Sequence, residues 1–112
     1  MERYLKSSTR IEKGTTVVDV EGQIDLGSSP GLRKTLLNCL LGTDRVAVNL
    51  MAVKYIDSSG IASLVEGLKA SRDNGARLIL YGLSSSVREV MELSRLQKIF
   101  EIYDNEEQAL AS

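Results

Sequence analysis

The feature that most constrains the fold is an alternation of two apolar patterns along the chain. Runs of β-branched or continuous apolar residues, typical of strands, are followed by runs in which apolar residues recur three and four positions apart, as on one helix face. Glycine, serine or proline separates the runs. Strands that alternate with helices predict a largely parallel sheet whose strands are joined by crossover helices.

The predicted order is β, β, α, β, α, β, α, β, α. A turn at Gly14 joins the first two strands into an antiparallel pair, so we expect an α/β fold with a mixed, mostly parallel sheet and about four helices. Serine or an Asx residue at each helix start provides the cap, with Pro30 in the first turn of the first helix. The order of the strands within the sheet does not follow from the sequence. The strands are predicted at residues 5–10, 15–20, 45–50 with 53–56, 76–81 and 99–103.

Composition narrows the class of protein. The 112 residues predict one domain, residues 1–112, and the 14 basic and 15 acidic residues form no cluster of the kind that binds nucleic acid or an anionic membrane. No apolar run reaches the roughly 20 residues of a membrane span. A single cysteine, Cys39, excludes an internal disulfide and favours a reducing compartment. We therefore expect a soluble, cytoplasmic domain.

Three predicted turns from a strand to the following helix are rich in Gly, Ser and Asp, at residues 22–30, 57–60 and 82–86. In parallel βα units these turns lie at one edge of the sheet, the carboxyl edge, where α/β proteins usually bind ligands and partners. The helix N-termini there present unsatisfied N–H groups and a partial positive charge.

The most informative of these turns is Asp57-Ser58-Ser59-Gly60. One interpretation is structural: Asp57, Ser58 or Ser59 caps the helix that starts near Gly60. The other is functional, because glycine in a first helical turn leaves room for another molecule, and a serine there can accept a phosphate that the helix dipole stabilises.

Intrinsic catalysis is disfavoured. The chain has no histidine to activate a serine, and it lacks both the GxxxxGK[ST] and the GxGxxG nucleotide-binding loops. Asp25 and Asp57 are two carboxylates that could pair or bind Mg²⁺, but two acids alone are weak support for such a site. We predict no catalytic residues, no metal site and no cofactor.

The segment YIDSSGIASL resembles the motif of the STAS domain in stand-alone bacterial anti-sigma-factor antagonists. The likeness extends over nearly the whole chain, through VVDVEGQIDLGSSPGLRKTL before the motif and GARLILYGLSSSVREVMEL after it. One departure is Ile61-Ala62 after the motif, where many members have Leu-Gly. The combination of DSSG with the earlier GQID segment makes the resemblance specific.

The resemblance implies that Ser58 is a phosphorylation site. The kinase is a GHKL-type anti-sigma-factor serine kinase that the unphosphorylated antagonist binds, freeing the sigma factor; a PP2C-type phosphatase reverses the modification. Mg²⁺ and ATP belong to the kinase. The implied partner-binding residues are Gln23, Asp25, Asp57, Ser59, Gly60, Ile61 and Ser84.

Two alternatives stay open. A STAS subunit of a lipid-transport ABC ATPase complex would bind an ATPase and need not be phosphorylated. Such proteins tend to have threonine in the serine loop, so the Ser58-Ser59 pair favours the antagonist. A small nucleotide-binding or hydrolytic enzyme is disfavoured by the absence of histidine and of a P-loop.

Overall fold

The computed structural model describes residues 4–112, which form five strands, four α-helices and one short 3₁₀ turn. The predicted order of elements is confirmed. The elements are β1 (Leu5–Glu12), β2 (Thr15–Ile24), α1 (Ser29–Gly42), β3 (Arg45–Ile56), α2 (Ser58–Asp73), β4 (Arg77–Tyr81), α3 (Ser85–Leu93), the 3₁₀ turn Leu96–Lys98, β5 (Glu101–Tyr103) and α4 (Glu106–Ala111).

The strands lie in the sheet in their order along the chain, β1-β2-β3-β4-β5. β1 and β2 are antiparallel, and each later neighbour is parallel to the strand before it. Lys13 and Gly14 form the two-residue turn of the β1–β2 hairpin, and both have the positive φ that such turns require. The mixed, mostly parallel sheet predicted from the sequence is therefore confirmed.

β2 and β3 are longer than the sequence pattern predicts. Residues 22–24, predicted as part of a turn, belong to β2, and residues 45–50 and 53–56 belong to one continuous strand. Gly22 does not end β2 because its φ of +113° lets it continue alongside β1. A Cβ atom there would collide with the carbonyl oxygen of Tyr4. Register shifts in the β2–β3 pairing accommodate this irregular stretch.

The main core lies between one face of the sheet and helices α1, α2 and α3. Alternate residues of the strands, such as Val18 in β2 and Val48 in β3, are fully buried against the apolar faces of these helices. β4 is buried on both sides, as predicted, with Leu80 facing this core and Ile79 facing the opposite one. Across residues 4–112, every helix falls short of the length and hydropathy that crossing a bilayer demands.

The opposite face of the sheet has a smaller apolar cluster, covered by the short helix α4. Arg10 of β1 forms ion pairs with Asp19 of β2, at 2.7 Å, and with Glu106 in the first turn of α4. The hydroxyl of Tyr81 in β4 donates to the same Glu106 carboxylate at 2.7 Å. These bonds fasten the beginning of α4 to three strands.

Two arginines hold the other end of α4. Arg45 donates to the carbonyl oxygen of Ser112 at 2.7 Å and to that of Ala109 at 3.3 Å. Arg77 donates to the Ser112 hydroxyl at 3.2 Å while pairing with Glu101. Cations suit this position because the C-terminal carbonyl groups of a helix are unsatisfied and partially negative.

Acid is expected to weaken the attachment of α4. Hydrogen bonds from Arg10 hold the pKa values of Asp19 and Glu106 below their usual range. Carboxylates whose pKa is lowered by folding stabilise the fold at any pH above their unfolded-state pKa, which is about 4. This stabilisation is lost as the pH falls through their folded-state pKa. Urea denaturation followed by circular dichroism should show the midpoint falling from about pH 5 towards pH 3. The variant Arg10→Gln should show a shallower fall, and parallel curves for the two proteins would contradict this.

Candidate functional site

The loops after β2, β3 and β4 lie at the carboxyl edge of the sheet, as predicted from the alternation of strands and helices. Hydrogen bonds connect these loops to neighbouring strands, and two of them involve Asp57 and Ser84. The Asp57 amide after β3 donates to the carbonyl oxygen of Ile24 at the end of β2, at 3.1 Å. The Ser84 hydroxyl after β4 donates to the carbonyl oxygen of Val53 in β3, at 2.8 Å. The edge is thus held together by the strand ends themselves.

Asp57 is the residue that caps α2. One of its carboxylate oxygens accepts hydrogen bonds from the amides of Ser59, at 2.9 Å, and Gly60, at 3.1 Å. Its carbonyl oxygen accepts the Ile61 amide at 3.0 Å. The structural interpretation of this turn therefore accounts for Asp57 and leaves both serines without a capping role.

Ser58 is the first residue of α2, and it is exposed. Its position in the first helical turn places its side chain near the positive end of the helix dipole. The adjacent Ser59 is half-buried, so the two serines differ in accessibility although they are neighbours in sequence. Of the two residues, Ser58 is the more accessible to another protein.

Gly60 and Ile61 are both buried, so they shape the site from beneath. A Cβ atom on Gly60 would lie 2.6 Å from Ile24 Cγ2, 2.6 Å from Ile56 Cγ1 and 2.9 Å from the Ile24 carbonyl oxygen. The space left by the missing side chain is occupied by the chain's own strands. Glycine at this position thus has a structural reason, which is the close packing of α2 on β2 and β3.

Asp25 organises the loop between β2 and α1. It is buried, and its carboxylate accepts hydrogen bonds from the amides of Gly27, at 3.0 Å, and Ser28, at 3.1 Å. The Asp25 carbonyl oxygen also accepts the Ser29 amide at 2.8 Å. Asp25 and Asp57 therefore play similar local roles, each holding the amides that follow it in a loop at the carboxyl edge.

The expected cap of α1 by a serine hydroxyl is wrong. Ser28 occupies the N-cap position, but its hydroxyl makes no capping bond to α1. Instead it accepts the Asp25 amide at 2.9 Å and donates to the Gln23 carbonyl oxygen at 2.8 Å. The competing partners are nearer because the Asp25 turn folds the loop back on itself. Pro30 lies in the first turn of α1, as predicted.

An open groove of about 760 Å³ runs along this part of the edge. Three of the predicted partner-binding residues line it: Gln23, Asp25 and Asp57. The first residues of the described chain, Tyr4 and Leu5, form another part of its wall. The structure therefore brings the β2–α1 loop and the cap of α2 together around one cavity.

Ser84 lies outside this groove, at the start of α3. Its hydroxyl accepts the Val87 amide at 3.4 Å in addition to its bond to Val53. The hydroxyl thus acts both as a donor and as an acceptor within the fold, and Ser84 stabilises the sheet edge beside β4.

Two exposed apolar side chains near the site were missed by the sequence analysis. Leu26, between Asp25 and Gly27, is 75% exposed, and Tyr55, two residues before Asp57, is 46% exposed. The signal for Leu26 was a single large apolar residue inside a Gly- and Ser-rich turn. Exposed apolar groups beside a polar groove are common in surfaces that bind other proteins.

Chemically, the site offers hydroxyl, carboxylate and amide groups. Within residues 4–112 no three histidine, cysteine, aspartate or glutamate residues are grouped so that they could hold a metal ion. The two carboxylates of the groove are engaged by main-chain amides. The arrangement is suited to recognition and to accepting a group from another protein.

Comparisons with known proteins agree with this picture. The family profile described as the STAS domain matches residues 6–109. The anti-sigma-B factor antagonist of Staphylococcus epidermidis is 31% identical over 91 residues, which are 80% of this chain and 84% of that protein.

Solved structures match the fold closely. An anti-sigma factor antagonist from Mycobacterium paratuberculosis superimposes with a TM-score of 0.88 at 21% identity, covering 96% of this chain and 92% of that one. The Bacillus cell fate determinant SpoIIAA in its phosphorylated form gives a TM-score of 0.72 at 19% identity, covering 95% and 97%. At these identities the likeness shows a shared fold.

Proposed function

The chain belongs to the STAS-domain family of anti-sigma-factor antagonists, and from this premise we propose that it is a binding protein switched by phosphorylation of Ser58. Residues 1–112 act as a single STAS domain in this proposal. The unphosphorylated chain binds a GHKL-type anti-sigma-factor serine kinase and relieves its inhibition of a sigma factor. Phosphorylation releases the chain, and a PP2C-type phosphatase restores it.

The observation that carries the proposal is the position of Ser58. It is exposed at the first residue of a helix whose cap is provided by its neighbour Asp57. Because Asp57 already satisfies the amides of Ser59 and Gly60, a phosphate on Ser58 would not have to replace a capping bond. The structural neighbour SpoIIAA is described in a phosphorylated form, so the fold accommodates such a group in that protein.

Phosphorylation changes the surface more than the fold. A phosphate adds a charge of about −1.5 to −2 at pH 7. The helix dipole offsets part of this charge within the chain. A partner docked on the same edge meets the new charge together with the carboxylate of Asp57, and desolvation of both is costly.

The proposed contact surface contains the predicted partner-binding residues in two roles. Gln23, Asp57 and Ser59 are half-buried, and Gln23 and Asp57 line the groove. The other members, which are Asp25, Gly60, Ile61 and Ser84, hold the loops in place through the contacts described above. We add the exposed Leu26 as an apolar contact.

The chain is not an enzyme in this proposal, because the partner supplies the chemistry. The Ser58 hydroxyl oxygen attacks the γ-phosphorus of ATP bound to the kinase, with Mg²⁺ neutralising the phosphates. The bond to the β-phosphate oxygen breaks, ADP leaves, and the hydroxyl proton passes to a base of the kinase. Ser58 needs only to be accessible and correctly placed.

The proposal is tested by phosphorylation with host kinases. The purified chain is incubated with ATP, Mg²⁺ and host lysate, beside Ser58→Ala and the matched control Ser59→Ala, and examined by intact mass and phosphopeptide analysis. We expect one phosphate at Ser58 in the parent chain and in Ser59→Ala, and none in Ser58→Ala.

Activity of the host's GHKL kinases is verified in the same lysate on another antagonist. Modification of Ser59 alone, or no modification despite active kinases, would overturn the proposal. A stable complex with an ATPase and an unmodified Ser58 would instead favour the lipid-transport subunit.

A further inference from the structure

The outer edge of β1 has a free row of main-chain hydrogen-bonding groups. β1 pairs with β2 through eight consecutive residues in one unbroken register, from Leu5 opposite Gly22 to Glu12 opposite Thr15. It contains no proline and no bulge, two of the devices by which edge strands are usually protected from pairing with another chain. In residues 4–112, no strand pairs with its other side.

The alternation of the antiparallel ladder fixes which groups face outward. In a two-residue hairpin the pair next to the turn, here Glu12 and Thr15, is hydrogen-bonded, so the even-numbered residues of β1 point their main-chain groups towards β2. The bond from the Gln23 amide to the Tyr4 carbonyl oxygen, at 2.9 Å, agrees with this alternation. The amides and carbonyl groups of Ser7, Thr9 and Ile11 therefore face away from the sheet.

We propose that the partner of this edge is a second copy of the chain, with the two β1 strands antiparallel and Thr9 opposite Thr9 on the twofold axis. In this register Thr9 faces Thr9, and Ser7 of each copy faces Ile11 of the other. All of these residues point their main-chain groups outward, so the hydrogen bonds between the two strands form one continuous ladder. The two sheets join into a ten-stranded sheet. The exposed Ile11, at 75%, gains cover from the neighbouring strand.

Charge complementarity favours this register over the two neighbouring ones. Lys6 of each copy stands directly opposite Glu12 of the other, in a pair whose main-chain groups face inward and whose side chains are therefore close. The symmetry produces two such opposite-charge pairs. Moving the axis to Ser8 would place Lys6 opposite Arg10, and moving it to Arg10 would place that arginine opposite itself, so both neighbouring registers bring like charges together.

The other charged contacts of β1 are made within each chain and do not oppose the pairing. Arg10 lies on the same face but is engaged by Asp19 and Glu106 of its own chain, with Glu12 at 3.4 Å as a further partner. The Lys6 ammonium lies 5.7 Å from the Tyr4 ring, an exposed and weak contact that it can exchange for a carboxylate.

The decisive experiment uses two single variants, Lys6→Glu and Glu12→Lys, in analytical ultracentrifugation over a concentration series. The parent chain is expected to show a dimer that strengthens at low salt, since the pairs are exposed. Each variant alone places like charges opposite each other twice, and its dimer should be weaker by about tenfold or more.

Mixing the two variants should restore dimerisation, because a Lys6→Glu chain and a Glu12→Lys chain again have opposite charges at both pairs. Native mass spectrometry with one variant isotopically labelled distinguishes this heterodimer from either homodimer. Thermal melts of each variant establish that it is folded. Thr9→Pro, which removes an outward-facing amide and no hydrogen bond to β2, should abolish the dimer.

Three results would overturn the proposal. A parent chain that stays monomeric at the highest concentration has no such interface. A dimer that both single variants leave unchanged uses another surface. A mixture that dimerises no better than its components excludes the Thr9-centred register. Ser58→Ala should dimerise like the parent, so this test is independent of the phosphorylation switch.

Discussion

Replacing Gly60 with alanine is expected to lower the free energy of unfolding by about 2 to 3 kcal/mol. The new methyl group would lie 2.6 Å from side-chain carbons of both Ile24 and Ile56 and 2.9 Å from the carbonyl oxygen of Ile24. Two of these atoms belong to fully or almost fully buried side chains, so the helix start has to move off the sheet. The gain in helix propensity, about 1 kcal/mol, offsets only part of this cost.

The matched control is Gly31→Ala in α1. Beyond its chain neighbours and its own helix backbone, no heavy atom lies within 4 Å of a Cβ built there, and the residue is exposed. Its free energy of unfolding should be unchanged or raised by up to about 1 kcal/mol. Urea denaturation of the three proteins gives both values, and equal stability of the Gly60 and Gly31 variants would show that α2 is not packed as closely as described.

Phosphorylated Ser58 is expected to weaken binding to the anti-sigma-factor kinase by about a hundredfold while leaving the fold unchanged. The phosphate and Asp57 together place two acidic groups on the docking edge, and both would have to be desolvated or opposed by the partner. Within the chain the phosphate lies at an exposed helix N-terminus, where negative charge is stabilising. The melting temperature should therefore hold steady or rise slightly.

Isothermal titration calorimetry with ADP-bound kinase measures both forms without turnover. Ser58→Glu should reproduce part of the loss, since it adds one charge, and the uncharged Ser58→Gln, of nearly the same size, is the matched control that should lose less affinity. Equal affinity of the phosphorylated and unphosphorylated chains would contradict the prediction. Loss of affinity accompanied by a lower melting temperature would indicate unfolding instead of a changed surface.

The element order and fold class could be predicted because each run of apolar residues has one clear period. β4 is an example: its continuous apolar run predicts burial on both faces, and Ile79 and Leu80 face different clusters. The ends of elements were less predictable. Gly22 is typical of a strand end, yet with its positive φ it continues β2. The Tyr4 carbonyl oxygen, 18 residues earlier, leaves no room for a Cβ atom there.

The same distinction applies to the site. Asp57 was one of three candidate caps, and local spacing could not select among them. The structure selects Asp57, because its carboxylate oxygen accepts the amides of Ser59 and Gly60. The reason for Gly60 was also out of reach, because Ile24 and Ile56 approach it only once β2 and β3 are paired. Sequence patterns report local periodicity, whereas these features depend on contacts between distant segments.

The strand order β1-β2-β3-β4-β5 has a consequence for how the protein is made. Translation delivers strands from the N-terminus, and here each strand that leaves the ribosome pairs with the one synthesised just before it. Pairing between sequential strands keeps loop-closure entropy low, which favours rapid folding. The sheet can grow during synthesis in one direction, and no strand has to insert between two that have already paired.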